Sequence, residues 1–273
     1  MQLDAIYRSC DFAERIGGDP IEFPHRYSDP RDVETAGLIA AVLAYGKVDL
    51  FKAVIERILS PMGASPAAFL ADFSRKRDAG IFSGIYYRFN TADDIILLLH
   101  ALHRILKRHG SIERALCRTM RPDSPNVKDA LTVFVAEVHA AAGDAGKGFS
   151  QMFPSPASGS ACKRLNLYLR WMVRTAAPDF GIWHDIRPDQ LVIPLDLHIS
   201  RIGRCLGLTE RKSDDWKTAV EITESLKRYD PHDPLKYDFA LCHLGITREC
   251  GADKCSGCEY KRRGRQRGAG SKK

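Results

Sequence analysis

Long apolar runs are absent from this chain of 273 residues. The most apolar stretch, residues 95–102, contains His100 and is far shorter than the roughly 20 residues that a membrane-spanning helix needs. The first residues, MQLDAIYRSCDFAERIGG, also lack the basic start and apolar block of a secretory signal. The apolar fraction of 44% and the charged fraction of 27% exclude wholesale disorder. We therefore expect a soluble, cytoplasmic globular protein.

Strand-like alternation and internal repeats are absent as well, and helical spacing dominates. In residues 91–109 apolar side chains recur every three or four positions, with Thr91 suited to cap the start and Gly110 to close the end. The pattern predicts an all-α fold, with residues 1–260 as one helical domain. Glycines and prolines interrupt the pattern at residues 143–159, which predicts a loop or a boundary between lobes there.

A surplus of positive charge is absent from most of the chain. Lys and Arg number 41 against 34 Asp and Glu, but residues 261–273 alone contain seven basic residues and no acidic one. Residues 1–260 are therefore formally neutral, and residues 261–273 are expected to form a flexible basic tail. Two interpretations of the tail stay open: a solubilising end, or nonspecific contact with nucleic-acid phosphates.

Two short segments contain candidate catalytic residues. Lys163 falls almost opposite the apolar stripe of a helix predicted over residues 160–175 and within its first turn. The positive end of the helix dipole and the adjacent Arg164 disfavour an ammonium there, and a lysine nucleophile needs the free amine. Asp196 precedes the next predicted helix, where the backbone N–H groups would hold its carboxylate ionised and oriented. The alternatives are a solvated lysine and an ordinary helix cap.

The segment around Asp196, PLDLHISRIGRCLG, resembles the aspartate motif of the helix-hairpin-helix DNA glycosylase/lyase superfamily, close to PVDTHVxRVxxRLG. DFALCHLGITREC resembles the next helix of that family, and LIAAVLAYGKVD resembles its apolar helix and DNA-wedging turn. Gly46 stands where the family often has Gln, and SPASGSACKRLN has a single glycine where the family hairpin has several. The spacing from Lys163 to Asp196 is most similar to the corresponding spacing in the archaeal 8-oxoguanine glycosylases. The chain as a whole also looks like a bacterial family with an uncharacterised-domain label.

The resemblance implies two helical lobes around a cleft, and a DNA repair glycosylase with lyase activity that excises an 8-oxoguanine-like base. Lys163 would attack the sugar C1′ and form a Schiff base, while Asp196 would stabilise the developing positive charge. The partner implied is damaged double-stranded DNA, bound by a monomer associated with the nucleoid. The remaining site residues implied are Asp238, Trp171 and Phe180 (with Trp183 as a further aromatic) around the base, and Gly159, Ser160, Arg164 and Arg201 on the DNA.

Four of the eight cysteines, Cys242, Cys250, Cys255 and Cys258, lie near the C-terminus. Because the first residues do not resemble an export signal, these cysteines favour metal binding or free thiols over disulfides. The resemblance implies a [4Fe–4S] cluster held by these four residues, although their spacing departs from the endonuclease III pattern. Zinc is the second option, and a degenerate site with free thiols is the third.

Two other functions remain open at this stage. The same fold could bind nucleic acid without cutting it, in which case Lys163 contacts a phosphate. The adjacent His184 and Asp185 also permit a metal-dependent phosphohydrolase, although no further metal ligands fall in an evident pattern.

Overall fold

The computed structural model of the chain describes residues 2–246, and within them every regular element is a helix. The helices are α1 (Gln2–Arg8), α2 (Phe12–Ile16), α3 (Pro30–Leu43), α4 (Val48–Leu59), α5 (Pro66–Ala71), α6 (Arg75–Phe82), α7 (Ala92–His109), α8 (Ile112–Cys117), α9 (Lys128–Ala142), α10 (Lys147–Met152), α11 (Lys163–Val173), α12 (Leu197–Cys205), α13 (Trp216–Lys227) and α14 (Asp238–Ile246). Pairing of extended backbone in this part of the chain is limited to isolated bridges. The prediction of an all-α fold is confirmed. Between residues 2 and 246 there is no helix with both the length and the apolar character to cross a bilayer.

Helix α7 shows how closely local sequence sets the helix ends. Thr91 Oγ1 accepts a hydrogen bond from Asp94 N, and Asp94 Oδ2 accepts one from Thr91 N, which together form a capping box. Gly110 ends the helix in the left-handed conformation at φ 82°, where a side chain is disfavoured. Both predicted ends of this helix are confirmed.

Helix α3 lies at the centre of the molecule, and its residues 32–43 are all buried. It packs closely against α11, since a Cβ atom at Gly37 would lie 3.0 Å from Met172 Cε. The Tyr168 hydroxyl of α11 donates a hydrogen bond to the carbonyl of Glu34 at 3.1 Å. This contact joins the middle of α11, the helix that begins with Lys163, to the central helix.

Helices α12 and α14 also pack at short distance. A Cβ atom at Gly245 would lie 2.6 Å from His198 Cβ, so the backbone of α14 contacts the first turn of α12 directly. The small residue is required here because any side chain would push the two helices apart. The packing brings Cys242 next to Asp196, which precedes α12.

The segment 143–159 is more ordered than the sequence indicates. It contains α10 and a 3-10 turn at Pro156–Ser158. The side chain of Phe149 is fully buried, and its backbone N donates to Asp94 Oδ1 at 2.9 Å. The expectation of a plain loop is corrected, because Phe149 and Met152 pack into the core cluster that extends from Leu3 to Leu241.

Glu34 is a buried carboxyl group in the middle of α3. Its oxygens accept hydrogen bonds from Ile112 N at 3.0 Å, Glu113 N at 3.2 Å and Trp183 Nε1 at 3.2 Å. Burial raises the pKa of Glu34 to about 7, and these three donors oppose part of that rise. The folded protein therefore holds a proton on Glu34 at pH values where the unfolded chain has released it.

We expect this group to make the protein less stable as the pH rises. The folded pKa of Glu34 lies above the reference value of 4.5, so its contribution is complete below pH 4.5 and is lost as the pH rises to about 7. The free energy of unfolding should fall by up to about 1.4 kcal/mol per pH unit in that window. Urea unfolding at pH 5, 6, 7 and 8 measures the slope. Glu34→Gln should flatten it, and the exposed Glu224→Gln should not; equal slopes in all three proteins would contradict the assignment.

Candidate active site

A cavity of about 710 Å³ lies where the N-terminal ends of three helices converge. Val48 begins α4, Lys163 begins α11 and Asp196 caps α12, and all three residues line the cavity. Helix N-termini carry partial positive charge and free N–H groups, so their convergence favours a negatively charged ligand. The volume is within the range of small-molecule sites, about 300–1,000 Å³.

Lys163 and Asp196 meet inside this cavity. Lys163 Nζ lies 4.0 Å from Asp196 Oδ2, with side chains that are 31% and 24% exposed. Asp196 Oδ1 accepts hydrogen bonds from His198 N and Ile199 N, both at 2.9 Å. The predicted cap is confirmed, and it uses one carboxylate oxygen while the other faces the lysine. The arrangement places an amine beside a fixed carboxylate in a space that a ligand can enter.

The residue before Lys163 fixes the start of α11. Cys162 is buried and adopts a left-handed conformation at φ 48°, which is uncommon for a residue with a side chain. Its Sγ donates to the carbonyl of Pro154 at 3.2 Å, and its backbone N donates to Ser160 Oγ at 3.2 Å. Burial raises the pKa of the Cys162 thiol to about 11, so the thiol is neutral. These contacts hold the sharp turn that directs Lys163 into the cavity.

Cys242, one of the four cysteines of the predicted metal site, lines the same cavity. Its Sγ donates to Asp196 Oδ2 at 3.8 Å, and burial raises the pKa of the thiol far above its usual range. Cys250, Cys255 and Cys258, and the basic tail 261–273, lie outside the described residues. Within residues 2–246 no group of three or more potential metal ligands occurs.

Asp238 does not reach the cavity, so its expected contact with a base is corrected. Its side chain is buried and forms an ion pair with Arg170. Burial raises the pKa of Asp238 to about 6, and the charge of Arg170 acts in the opposite direction. The carboxylate balances a buried guanidinium on the neighbouring helix, which leaves it unavailable to a ligand.

The aromatic residues expected around the base are also placed elsewhere. Trp171 is fully buried, and Phe180 packs on His25 with ring centroids 4.3 Å apart. Trp183 is buried and donates to Glu34, as described above. The rings that line the cavity are those of Tyr45 and Phe51. Tyr45 directly follows the apolar run of α3, but helical spacing alone does not show that this end of the helix is open.

The residues expected on DNA divide into two groups. Gly159 and Arg201 are exposed, and Ser160 pairs with Asp215 through an isolated bridge. Arg164 is instead part of the cavity wall: Nη1 donates to Val42 O at 2.6 Å, Nη2 donates to Gln151 O, and the guanidinium lies 5.1 Å from the centroid of the Tyr45 ring. Burial lowers the pKa of Arg164 from its usual value. Arg164 therefore lies in the wall of the cavity and not on the outer surface beside Gly159 and Arg201, and its contact with DNA stays a prediction.

Asp19 also lines the cavity, although no pattern in the sequence predicts it. Its Oδ1 accepts a hydrogen bond from Ile21 N at 2.9 Å. Burial raises the pKa of Asp19, and the positive charges of Arg170 and, more weakly, Lys163 act against that rise. The glycines and Pro20 around Asp19 indicate a turn, but no spacing in the sequence connects this turn with Lys163.

An exposed aromatic turn, residues 86–89, adjoins the cavity. Tyr86 is 66% exposed and Phe89 is 60% exposed, while Arg88 between them has a left-handed φ of 51°. The guanidinium of Arg88 lies 5.6 Å from the Phe89 ring centroid and 5.9 Å from that of Tyr45. Tyr45 also packs on Tyr87 with centroids 4.8 Å apart. The aromatic turn is thus joined to the wall of the cavity through Tyr45.

His184 and Asp185 are exposed and do not line the cavity. Their backbone N–H groups both donate to Glu113 Oε1, at 2.7 and 3.4 Å. No third or fourth metal ligand joins them in the part of the chain that the structure describes. Nothing in their surroundings favours the phosphohydrolase interpretation.

Comparison with known proteins gives one family. No curated protein and no solved structure matches the chain. The expected membership in the helix-hairpin-helix glycosylase superfamily is wrong, because the family model that matches is a different one. That model covers residues 19–247, which include every cavity-lining residue except Gly18. The chain therefore belongs to the family described as protein of unknown function (DUF2400).

Proposed function

We propose that this protein is a DNA glycosylase with associated lyase activity, which removes a damaged base such as 8-oxoguanine. The observation that supports the proposal is the 4.0 Å distance between Lys163 Nζ and Asp196 Oδ2 inside a cavity of about 710 Å³. An amine and an oriented carboxylate are what a Schiff-base mechanism requires. The proposal rests on this geometry and not on family membership.

The proposed reaction begins with attack of the Lys163 Nζ lone pair on the sugar C1′. A bond forms between Nζ and C1′, and the bond from C1′ to the base breaks, so that the base leaves with the electron pair and takes up a proton. Asp196 stabilises positive charge on the sugar and accepts the proton that the attacking amine releases. The Nζ lone pair then breaks the C1′–O4′ bond, O4′ takes up a proton, and the Schiff base forms. Loss of a C2′ proton to solvent and cleavage of the C3′–O bond then release the 3′ phosphate and cut the strand.

The surroundings of the cavity support DNA as the partner. Three helix N-termini point into it, as described, and Lys47 and Arg88 lie exposed close to its rim. Exposed aromatic rings beside basic side chains are suited to stack on bases that are unpaired or unstacked. In this proposal the elements on the two sides of the cavity act as two lobes around a cleft, and a monomer binds damaged duplex DNA at the nucleoid.

Borohydride trapping tests the proposal directly. The full-length protein is incubated with duplex DNA containing an abasic site or 8-oxoguanine, and borohydride reduces any Schiff base to a stable covalent adduct. We expect an adduct that migrates as protein plus DNA in a denaturing gel. A mobility shift without an adduct would identify a binding module instead, and hydrolysis of a phosphate ester that depends on added divalent metal would identify a phosphohydrolase.

We expect the aromatic turn to contribute to DNA affinity. The double substitution Tyr86→Ala and Phe89→Ala should weaken binding to an abasic duplex by about tenfold or more, because stacking on an aromatic ring contributes about 1–3 kcal/mol per base. Fluorescence anisotropy at one fixed salt concentration measures the affinity. Tyr229→Ala, which removes an exposed ring that does not line the cavity, is the matched control. Equal losses in the two proteins would argue against a specific role of the turn.

A further inference from the structure

We propose that the aromatic turn, α6 and the start of α4 together form a surface that binds a single-stranded nucleic acid. The inference goes beyond the proposed function, because it concerns the outside of the molecule and does not depend on Lys163. Five of the seven large apolar side chains that are exposed within residues 2–246 lie on these elements: Val48, Leu50, Ile81, Tyr86 and Phe89. Apolar side chains that cluster at a surface mark a binding site, whereas isolated ones need no explanation.

These elements are in contact with one another, so the five side chains lie on neighbouring parts of one surface. A Cβ atom at Gly46 would lie 2.7 Å from Tyr87 Oη and 3.0 Å from Arg88 Nη1, so the aromatic turn packs on the turn before α4. Arg57, in the last turn of α4, donates from Nη2 to the carbonyl of Gly84 at 2.8 Å. The chain after α6 therefore runs along α4 from its end to its start.

The aromatic turn is held in position by its neighbours. Tyr87 and Asn90 exchange two backbone hydrogen bonds, both at 2.8 Å, which place the two residues between them at the tip. The Asn90 side chain accepts from the Tyr45 hydroxyl at 2.5 Å and donates to Gly148 O at 2.7 Å. Arg88, at the tip, keeps a left-handed φ of 51°, and strain of this kind is common at binding sites. Rings on such a turn lose little conformational entropy when a ligand stacks on them.

The charge of this surface is complementary to a polyanion. Residues 75–89 contain four basic residues and a single acidic one, Asp78. Asp78 is paired with Arg77, whose Nε lies 2.8 Å from Asp78 Oδ1. The other three basic residues are exposed and form no ion pair with any residue between positions 2 and 246: Arg75, Lys76 and Arg88. Unpaired cations beside exposed rings are suited to phosphates and bases together.

An unpaired strand fits this surface better than a duplex does. In a duplex the faces of the bases are covered by their neighbours, and most protein contacts are made to phosphate and sugar. Tyr86 and Phe89 are more than half exposed, so their rings are open to bases whose faces are uncovered. The Arg88 guanidinium lies 5.6 Å from the Phe89 ring centroid and adds a cation beside the same ring. Successive bases can stack on the rings while their phosphates contact the three cations.

Binding to undamaged oligonucleotides tests the inference without any chemistry at Lys163. Fluorescence anisotropy compares the affinity of the full-length protein for labelled oligo(dT) and oligo(rU) of about 16 nucleotides, and for the duplex of the dT strand. We expect the tighter of the two single strands, which identifies DNA or RNA as the source, to bind at least about tenfold more tightly than the duplex. Tyr86→Ala combined with Phe89→Ala should weaken binding of that strand by about tenfold or more, and binding of the duplex by at most about threefold.

The salt dependence tests the phosphate contacts separately. Lys76→Gln should lower the slope of log Kd against log salt concentration for the single strand by about 0.7, the contribution of one phosphate contact. Lys217→Gln is the matched control, because Lys217 is also the exposed second residue of a helix, α13, and does not belong to this surface. It should leave the slope unchanged.

Equal affinity for strand and duplex, an unchanged slope in Lys76→Gln, or an equal loss in the ring control Tyr229→Ala would each overturn the inference. Self-association of the unchanged protein that disappears in the double variant would assign the surface to a second copy of this chain, and would overturn it as well. Borohydride trapping decides the glycosylase proposal separately: Lys163→Gln should lose the adduct and keep its affinity for the single strand, so the two failures are distinguishable.

Discussion

Replacing Lys163 with glutamine is expected to abolish the covalent adduct with abasic DNA and to reduce base release by at least about a thousandfold. Glutamine occupies a similar volume, but its amide nitrogen has no lone pair available for attack on C1′. Only an amine forms a Schiff base that borohydride reduces. The measurement is the fraction of DNA trapped after a fixed time, compared between the variant and the unchanged protein at equal concentration.

Two further variants test whether the loss of the adduct is specific to Lys163. Lys128→Gln removes an exposed lysine that also begins a helix, α9, but does not line the cavity, and it should leave trapping intact. Asp196→Asn should slow base release while DNA binding remains, because the amide oxygen still caps α12 about as well as the carboxylate but carries no charge to stabilise the sugar. An adduct that persists in Lys163→Gln would assign the Schiff base to another amine and would contradict the mechanism. Circular dichroism of each variant verifies that the helical fold is retained.

The local sequence predicted the parts of the site that depend on helix starts. The position of Asp196 before α12 is a cap pattern, and its carboxylate accepts two backbone N–H groups as expected. Lys163 falls in the first turn of α11, as its spacing from the apolar stripe indicates. In both cases the relevant interactions are within four residues along the chain, so the sequence carries the information.

The predictions that were wrong concern residues whose surroundings are set by segments distant in the sequence. Asp238 begins α14 and so resembles an ordinary acid in a first helical turn, but its partner Arg170 is 68 residues away. Trp171 was expected near a base, but the packing of α11 against α3 buries it completely. Asp19 was not identified because Lys52, which holds its segment, belongs to α4. Helical periodicity shows which face of a helix is buried. It does not show which residue of another segment packs against that face.

The incorrect superfamily assignment has a physical explanation in the same terms. The motif PLDLHISRIGRCLG combines a capping aspartate, an apolar stripe that includes Ile199 and Ile202, and Gly207 at φ 70° after the helix. Each feature serves the start, the burial or the end of α12, so the motif describes a well-formed short helix as much as an activity. Geometry around the cavity is therefore a stronger basis for the proposed chemistry than the resemblance.

A buried chain of ion pairs supports the wall of the cavity. Arg170 and Arg174 of α11 are almost completely buried, and they share Asp179 between them. Arg170 also binds Asp238, the first residue of α14, and Arg174 binds Asp233 with a distance of 2.8 Å from Nε to Oδ1. The chain joins the helix that begins with Lys163 to the helix that carries Cys242. Removal of one member leaves charges of the opposite sign buried without a partner.

Arg170→Met is therefore expected to lower the free energy of unfolding by about 3–5 kcal/mol. Methionine replaces most of the volume of the side chain, so the loss reports the unpaired buried carboxylate of Asp238 rather than a cavity. Asp179 keeps its ion pair with Arg174, so Asp238 is the carboxylate that loses its only partner in the described part of the chain, and adding Asp238→Asn should recover part of the loss. Urea unfolding followed by circular dichroism measures each value. Arg121→Met breaks the exposed pair with Asp123 and should cost at most about 1 kcal/mol. A loss in Arg170→Met that is no larger would mean that water reaches the network and that its charges are not held apart from solvent.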